Sequence, residues 1–321
     1  MRRLLTRFAR AFQRLLAGGD RGIPLIEAYI GYATPEALIA RGRVLSAIRQ
    51  AEPRAGQSRW RNLRQMAALF LTDEVADVPV SADGSTSVTD AEGYFTLTLP
   101  RAPGHGWREV PAHVPGGAEV MLPLLLPDPD AAFGIISDID DTILETGAYS
   151  LARNLWTTFT GSTLTRHIYP DAVQFLTALH AGRNPVFYVS SSPWNLHGFL
   201  ERLFQRAGLV PGPMFLRDLG LRRETLGKGA HGRHKSAAID DILAANPRLS
   251  FVLIGDTGQR DAEVYADIAA RHPGRVRRIV LRQSGRGPRP DPPAAVAAAR
   301  AGIPVEIGPD YAHLLPIAPD G

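Results

Sequence analysis

From about residue 130 onward, short apolar runs alternate with stretches whose apolar positions recur at helical spacing. The runs are Ala132 to Ser137, Val186 to Val189, Phe251 to Ile254, Arg278 to Leu281 and Pro304 to Ile307. Runs this short, bounded by turn residues, predict strands. Helical patterns lie between them at Ala172 to His180, Leu196 to Ala207, Ser236 to Ala245 and Asp261 to Arg271. Such alternation predicts an α/β fold whose parallel sheet is covered by helices on both faces.

The texture differs before residue 130. Thr86 to Leu99 predicts two strands around Asp90-Ala91-Glu92-Gly93, the second alternating aromatic or apolar residues with threonine. Trp107 to Val114 and Glu119 to Leu126 add two more, which predicts a small sandwich-like, β-rich domain. A helix-like stretch lies near Trp60 to Leu71. Pro127-Asp128-Pro129-Asp130 reads as a linker and Gln283 to Asp291, rich in Gly, Pro and Arg, as an exposed loop. The predicted organisation is therefore a helix over residues 1–20, the β-rich domain over 21–130 and the α/β domain over 131–321.

Composition narrows the function classes. An apolar fraction of 45% and a charged fraction of 21% are ordinary for a globular protein. Spanning a bilayer takes roughly 18–20 consecutive apolar residues, and no run approaches that. The chain has 0 cysteines, which excludes disulfides, thiolate nucleophiles and thiolate metal sites. A net charge of +4 is too mild to argue for nucleic acid. The first sixteen residues carry arginines at 2, 3, 7, 10 and 14 and no acid, with large apolar residues on one helical face. This is a basic amphipathic helix without the features of a secretory signal. It suits either peripheral contact with an anionic membrane through residues 1–18 or docking on its own domain. A cytoplasmic location is expected, at the membrane surface if that helix binds there.

The chemistry concentrates at three strand ends. Asp138-Ile139-Asp140-Asp141-Thr142 follows the first run and sets two carboxylates two residues apart at the lip of a buried strand. Ligands of open α/β sheets bind just past such carboxyl ends. A carboxylate nucleophile with a second carboxyl beside it is the equipment for making and breaking an aspartyl-phosphate. Ser190-Ser191-Ser192-Pro193 ends the second run, and Gly255-Asp256-Thr257-Gly258-Gln259-Arg260-Asp261 ends the third. Lys235 stands just before a helical pattern. Of 36 Lys and Arg residues only Lys228 and Lys235 are lysines, so this chain keeps a compact ammonium where it otherwise writes arginine.

The ordered set D-x-D-x-T, strand-end Ser, Lys and G-D-x4-D resembles the haloacid-dehalogenase superfamily of phosphohydrolases. The phrases Ser137-Asp138-Ile139-Asp140-Asp141-Thr142-Ile143, Ser190-Ser191-Ser192-Pro193-Trp194-Asn195 and Ile254-Gly255-Asp256-Thr257-Gly258-Gln259 resemble, more narrowly, the family of the fungal actin-patch phosphatidate phosphatase and its bacterial relatives. Gly31-Tyr32 and Gly42-Arg43-Val44-Leu45 are similar to that family's amino-terminal region. The resemblance implies a Rossmann-like, haloacid-dehalogenase-like sheet with a minimal cap. It also implies a Mg²⁺-dependent phosphatidate phosphatase that releases diacylglycerol and phosphate. In that scheme Asp138 attacks phosphorus and Asp140 is the acid and base. Thr142, Ser190, Ser191 and Lys235 hold phosphoryl oxygens, and Asp138, Asp140 (through its backbone carbonyl), Asp256 and Asp261 form the metal site. A phospholipid is the implied substrate, with protein partners open.

Other residues carry plainer readings. Asp141 is either a support for the site or solvent-facing, Asp240 and Asp241 a solvated helix face, and Trp194 core rather than substrate wall. His231 and His234, beside Arg233, read as headgroup contact or surface charge rather than metal ligands, because Mg²⁺ prefers oxygen. Leu144 to Ile168 leaves room for a short helical flap. Two alternatives remain beside the lipid phosphatase: a phosphatase for a soluble or macromolecular phosphomonoester, and a scaffold built on a vestigial phosphatase fold.

Overall fold

A computed structural model describes residues 23–46, 74–145, 168–217, 230–258, 260–283 and 291–315. The expected helix at residues 1–20, the stretch Trp60 to Leu71, the flap before Ile168 and most of the Gln283 to Asp291 loop lie outside them. Among the described residues the protein is α/β, with one all-parallel sheet of six strands and one mixed sheet of seven.

The parallel sheet contains β8 (Gly134–Asp138), β9 (Val186–Pro193), β10 (Met214–Arg217), β11 (Phe251–Asp256), β12 (Val276–Arg282) and β13 (Val305–Gly308). Their spatial order is β10-β9-β8-β11-β12-β13. The chain enters at the centre, moves outward to β10 and returns to the other side of β8. The order therefore reverses between β8 and β11, where open sheets leave a crevice at their carboxyl ends. Side chains alternate between two cores. Ile135, Tyr188, Val252 and Ile254 pack with Phe175 and Leu176 of α1 (Pro170–His180) and with Leu200 and Phe204 of α2 (His197–Ala207). Ile136, Phe187, Val189 and Leu253 pack with Ile239 and Ile242 of α3 (Ala230–Ala245) and Ile268 of α4 (Asp261–Arg271). Burial on both faces is why these strands appear in the sequence as unbroken apolar runs. Burying each such side chain contributes about 1.5–3 kcal/mol. A fifth helix, α5 (Pro293–Arg300), adds Ala295 and Ala298 to the second core.

The mixed sheet contains β1 (Leu25–Ala33), β2 (Ala37–Leu45), β3 (Pro79–Ala82), β4 (Ser85–Val88), β5 (Tyr94–Pro100), β6 (Gly106–His113) and β7 (Val120–Leu126), in the order β4-β3-β6-β7-β1-β2-β5. β1 and β7 run parallel and the other pairs antiparallel. The sheet curls until its outermost strands approach, and Ser85 Oγ on β4 donates to the Thr98 carbonyl on β5 at 2.9 Å. Leu38, Val44, Val80, Leu97 and Leu122 fill the concave side. Gly42 is fixed by this packing, since a Cβ there would sit 2.7 Å from both the Glu27 carbonyl and the Phe95 ring. The two strands expected around Asp90 to Gly93 are present, but they pair with β3 and β2 rather than each other. Asp90 Oδ1 closes that turn by accepting from the Glu92 and Tyr94 backbone amides.

β1 carries a bulge. Its register with β2 passes from Tyr29↔Arg41 to Tyr32↔Ile39, one extra residue on β1. Residues three apart normally face opposite sides of a strand. Here the bulge turns both Tyr29 and Tyr32 toward the parallel sheet, where Tyr29 meets Trp194 and Tyr32 meets Phe215. No helix among the described residues is long and apolar enough to cross a membrane.

Candidate active site

Asp138 is the last residue of β8, Asp256 the last of β11, and Ser190 to Ser192 lie at the end of neighbouring β9. Three adjacent parallel strands thus deliver their polar ends to the crevice where the strand order reverses. Asp138 and Asp256 are 0% exposed, and Asp261, at the start of α4, is equally buried. Carboxylate oxygens of these three residues all lie within 4.8 Å of one another.

Lys235 projects into this cluster from α3. Its ammonium lies 2.8 Å from Asp138 Oδ1 and donates to Asp261 Oδ1 at 2.5 Å. It is the sixth residue of the helix rather than the one before it, so the helix begins earlier than its apolar pattern does. The early turn is polar and glycine-containing, which hid it. Burial would push the Lys235 ammonium down, but Asp138 and Asp261 overcome this and hold it raised. Burial pushes the Asp138 carboxyl up against the pull of Lys235, and Asp261, Asp140 and Asp256 push it further.

The Asp138 to Leu144 loop is tight. Asp141 takes a left-handed φ of 57°, which Asp tolerates better than most residues, and its amide donates to the Leu144 carbonyl at 2.8 Å. The turn brings Thr142 back onto the strand end, where its hydroxyl donates to Asp138 Oδ2 at 3.2 Å. Asp141 is buried, so it is not a solvent-facing acid. Asp140 Oδ2 accepts from Ser190 Oγ at 2.8 Å and Ser192 Oγ at 3.0 Å. Burial raises the Asp140 carboxyl, and the Ser190 hydroxyl, Lys235 and the Ser192 hydroxyl pull it back only in part. Ser191 Oγ is buried and has no hydrogen-bond partner among the described residues.

Asp138, Asp140, Thr142, Ser190, Lys235, Asp256 and Asp261 thus come together at the crevice, whereas Ser191, between Ser190 and Ser192 on an extended strand, turns to the other face. Asp138, Asp256 and Asp261 form the oxygen cluster, with Lys235 between two of them. The Asp140 side chain faces the serines, outside that cluster. Ser192 touches Asp140 although sequence reasoning did not single it out as a site residue. Its spacing was the available signal, because on an extended strand it shares a face with Ser190. Asp240 lies on the surface as expected, paired with Arg271 and His272. Trp194 is partly buried against the first core and lies in the seam between the two sheets.

Chemically, this is an acid-lined crevice with one fixed ammonium. All-oxygen donors at this spacing suit a hard divalent cation. Residues 133–283 match the model of the family described as phosphatidate phosphatase APP1, catalytic domain. Phosphatidate phosphatase APP1 of Saccharomyces cerevisiae is 29% identical over 150 residues, 46% of this chain and 25% of the yeast protein. The uncharacterized protein C29B5.04c of Schizosaccharomyces pombe is 32% identical over 152 residues, 46% of this chain and 24% of its own length. The chain thus spans about a quarter of the curated relatives it matches. A carbohydrate acetylesterase from Xanthomonas citri aligns over 89% of this chain and 68% of its own at a TM-score of 0.28 and 14% identity.

Proposed function

We propose that this protein is a Mg²⁺-dependent phosphatidate phosphatase of the haloacid-dehalogenase-like type, working through an aspartyl-phosphate on Asp138. We divide it into a β-rich, sandwich-like unit over residues 21–130 and the phosphatase unit over 131–321. The observation that carries the reading is the buried set Asp138, Asp256, Asp261 and Lys235 at the reversal of strand order. The match of the surrounding segment to the APP1 catalytic domain supports it.

A divalent cation fits. Three buried acids, Asp138, Asp256 and Asp261, cluster around one buried ammonium, and a charge excess in a dry site calls for a cation. Asp138, Asp256 and Asp261 would hold Mg²⁺ with the Asp140 carbonyl, and the ion would offset the repulsion between a phosphate dianion and an anionic nucleophile. The chain's own groups do the rest. Asp138 Oδ attacks phosphorus while the ester P–O bond breaks. The protonated Asp140 carboxyl gives its proton to the leaving oxygen, so diacylglycerol departs as the alcohol. Asp140, now a carboxylate, takes a proton from water. The hydroxide attacks phosphorus, the bond to Asp138 breaks, and inorganic phosphate leaves with Asp138 restored and Asp140 reprotonated. One group serving both half-reactions is the economy expected of general acid–base catalysis. Lys235, Thr142 and Ser190 would steady phosphoryl oxygens.

A panel of phosphomonoesters with Mg²⁺ tests the substrate class: phosphatidate in mixed micelles, a phosphopeptide, a sugar phosphate and an aryl phosphate. The reading expects phosphate release fastest from phosphatidate. Preference for a soluble ester would replace the lipid reading, and no release from any of them would favour a scaffold.

A further inference from the structure

The seam between the two sheets lies against the strand end that carries the serines. The geometry points to a second role for the mixed sheet: it positions Ser190 to Ser192 through Tyr29, Arg41 and Tyr94. The catalytic consequence rests on the phosphatase reading, whereas the positioning itself does not.

Trp194 and Asn195 follow Ser192 by two and three residues. The Tyr29 ring stacks on Trp194 with centroids 5.1 Å apart and planes 12° apart. Tyr94 OH donates to Asn195 Oδ1 at 2.9 Å. Arg41 lies 5.4 Å from the Trp194 ring centroid and 4.6 Å from that of Phe215, and it donates to the Met214 carbonyl at 3.2 Å. Phe215 pairs in register with Val189, the residue before Ser190. The mixed sheet therefore grips the serine segment on both flanks. The short 3₁₀ turn Trp194–Leu196 and α2 after it both lack a side-chain cap at their starts.

The placement follows from β1's extra residue. Tyr29, its cross-strand neighbour Arg41, and Tyr32 beyond the bulge share the face turned to the second sheet. Tyr94 opposite Arg43 on β5 continues that face. Both Ser190 and Ser192 donate to the carboxylate of Asp140. A shift of the serines would turn the proposed proton donor, and misplacement by about 1 Å can cost on the order of a hundredfold in rate.

The test compares full-length wild type, Tyr29→Ala/Tyr94→Phe, Tyr29→Phe and Val80→Ala. The last weakens the mixed sheet's core away from the seam. Amide hydrogen exchange over residues 189–195 and turnover of phosphatidate in mixed micelles with Mg²⁺, whose alkoxide leaving group needs a proton, are read on each. The double variant should exchange at least tenfold faster over that segment and lose at least tenfold in kcat, with KM within twofold. Tyr29→Phe should restore both, because it keeps the stack. Val80→Ala should resemble wild type in both. Unchanged exchange over 189–195 in the double variant would overturn the inference, as would an equal effect of Val80→Ala. Changed exchange with unchanged kcat would overturn its catalytic half. An inactive wild type would count against the phosphatase reading, while the exchange arm still decides the positioning.

Discussion

The Lys235 ammonium lies 2.8 Å from Asp138 Oδ1, and both side chains are sealed from solvent. The lysine offsets a carboxylate that would otherwise face three further buried acids. Lys235→Met keeps the stem and removes the charge. Turnover should fall by about a hundredfold or more, as for loss of one fixed electrostatic donor. Removing one partner of a buried pair also costs about 3–5 kcal/mol. Urea unfolding in the presence of chelator should reveal that loss. A variant as stable and as active as wild type would remove Lys235 from the site.

Asp140→Asn should spare an aryl phosphate more than a lipid. An aryloxide leaves without a proton, whereas an alkoxide needs one. Loss of a general acid is typically a hundredfold to about ten-thousandfold for the poor leaving group. Rates on phosphatidate and on p-nitrophenyl phosphate separate the two cases. Equal losses on both would mean that Asp140 does not protonate the leaving oxygen.

His197 gives the seam a signature in pH. Its ring is buried 3.9 Å from the Tyr29 centroid, and its pKa is lowered from 6.5 to about 3, by burial first and then by Arg41. Between those values the unfolded chain binds a proton that the folded chain refuses. Stability from this group is therefore complete above pH 6.5 and is lost as pH falls toward 3, by about 1.4 kcal/mol per unit. His197→Phe should lose about 2 kcal/mol less than wild type between pH 7 and pH 5. Chemical unfolding at the two pH values measures the difference, and parallel losses would contradict it.

Gly134 opens the strand that carries Asp138, and a Cβ there would lie 2.2 Å from the Phe251 ring. Gly134→Ala should cost about 1–3 kcal/mol by overpacking. Phe251→Leu costs stability by itself, yet the pair together should lose less than the sum. Thermal unfolding of the four proteins measures this, and strict additivity would place the strain elsewhere.

The sequence revealed most where physics left a simple pattern. Strands buried on both faces read as apolar runs, so β8, β9 and β11 were legible, and with them the crevice acids; β12 and the half-buried edge strand β13 showed as shorter apolar runs. β1 and β2 were not legible, because the bulge breaks the two-residue alternation and because Tyr29, Arg41 and Tyr32 face a second sheet rather than water. β10 was too short, at four residues, to stand out. Lys235 was conspicuous by composition, but its place inside α3 was not. Trp194 and Asn195 belonged to a recognisable phrase, although no local pattern could say that their partners lie in β1, β2 and β5.

The central claim is that Asp138 is the nucleophile of a Mg²⁺-dependent phosphatase. Phosphate release from phosphatidate in mixed micelles, measured for wild type and Asp138→Asn with Mg²⁺ and after chelation, tests it most directly. Wild type should be active with Mg²⁺, silent after chelation and restored by added Mg²⁺. Asp138→Asn should fold with an unchanged circular dichroism spectrum and lose about a thousandfold or more. Activity of Asp138→Asn within tenfold of wild type, or wild-type activity that survives exhaustive chelation, would contradict the account.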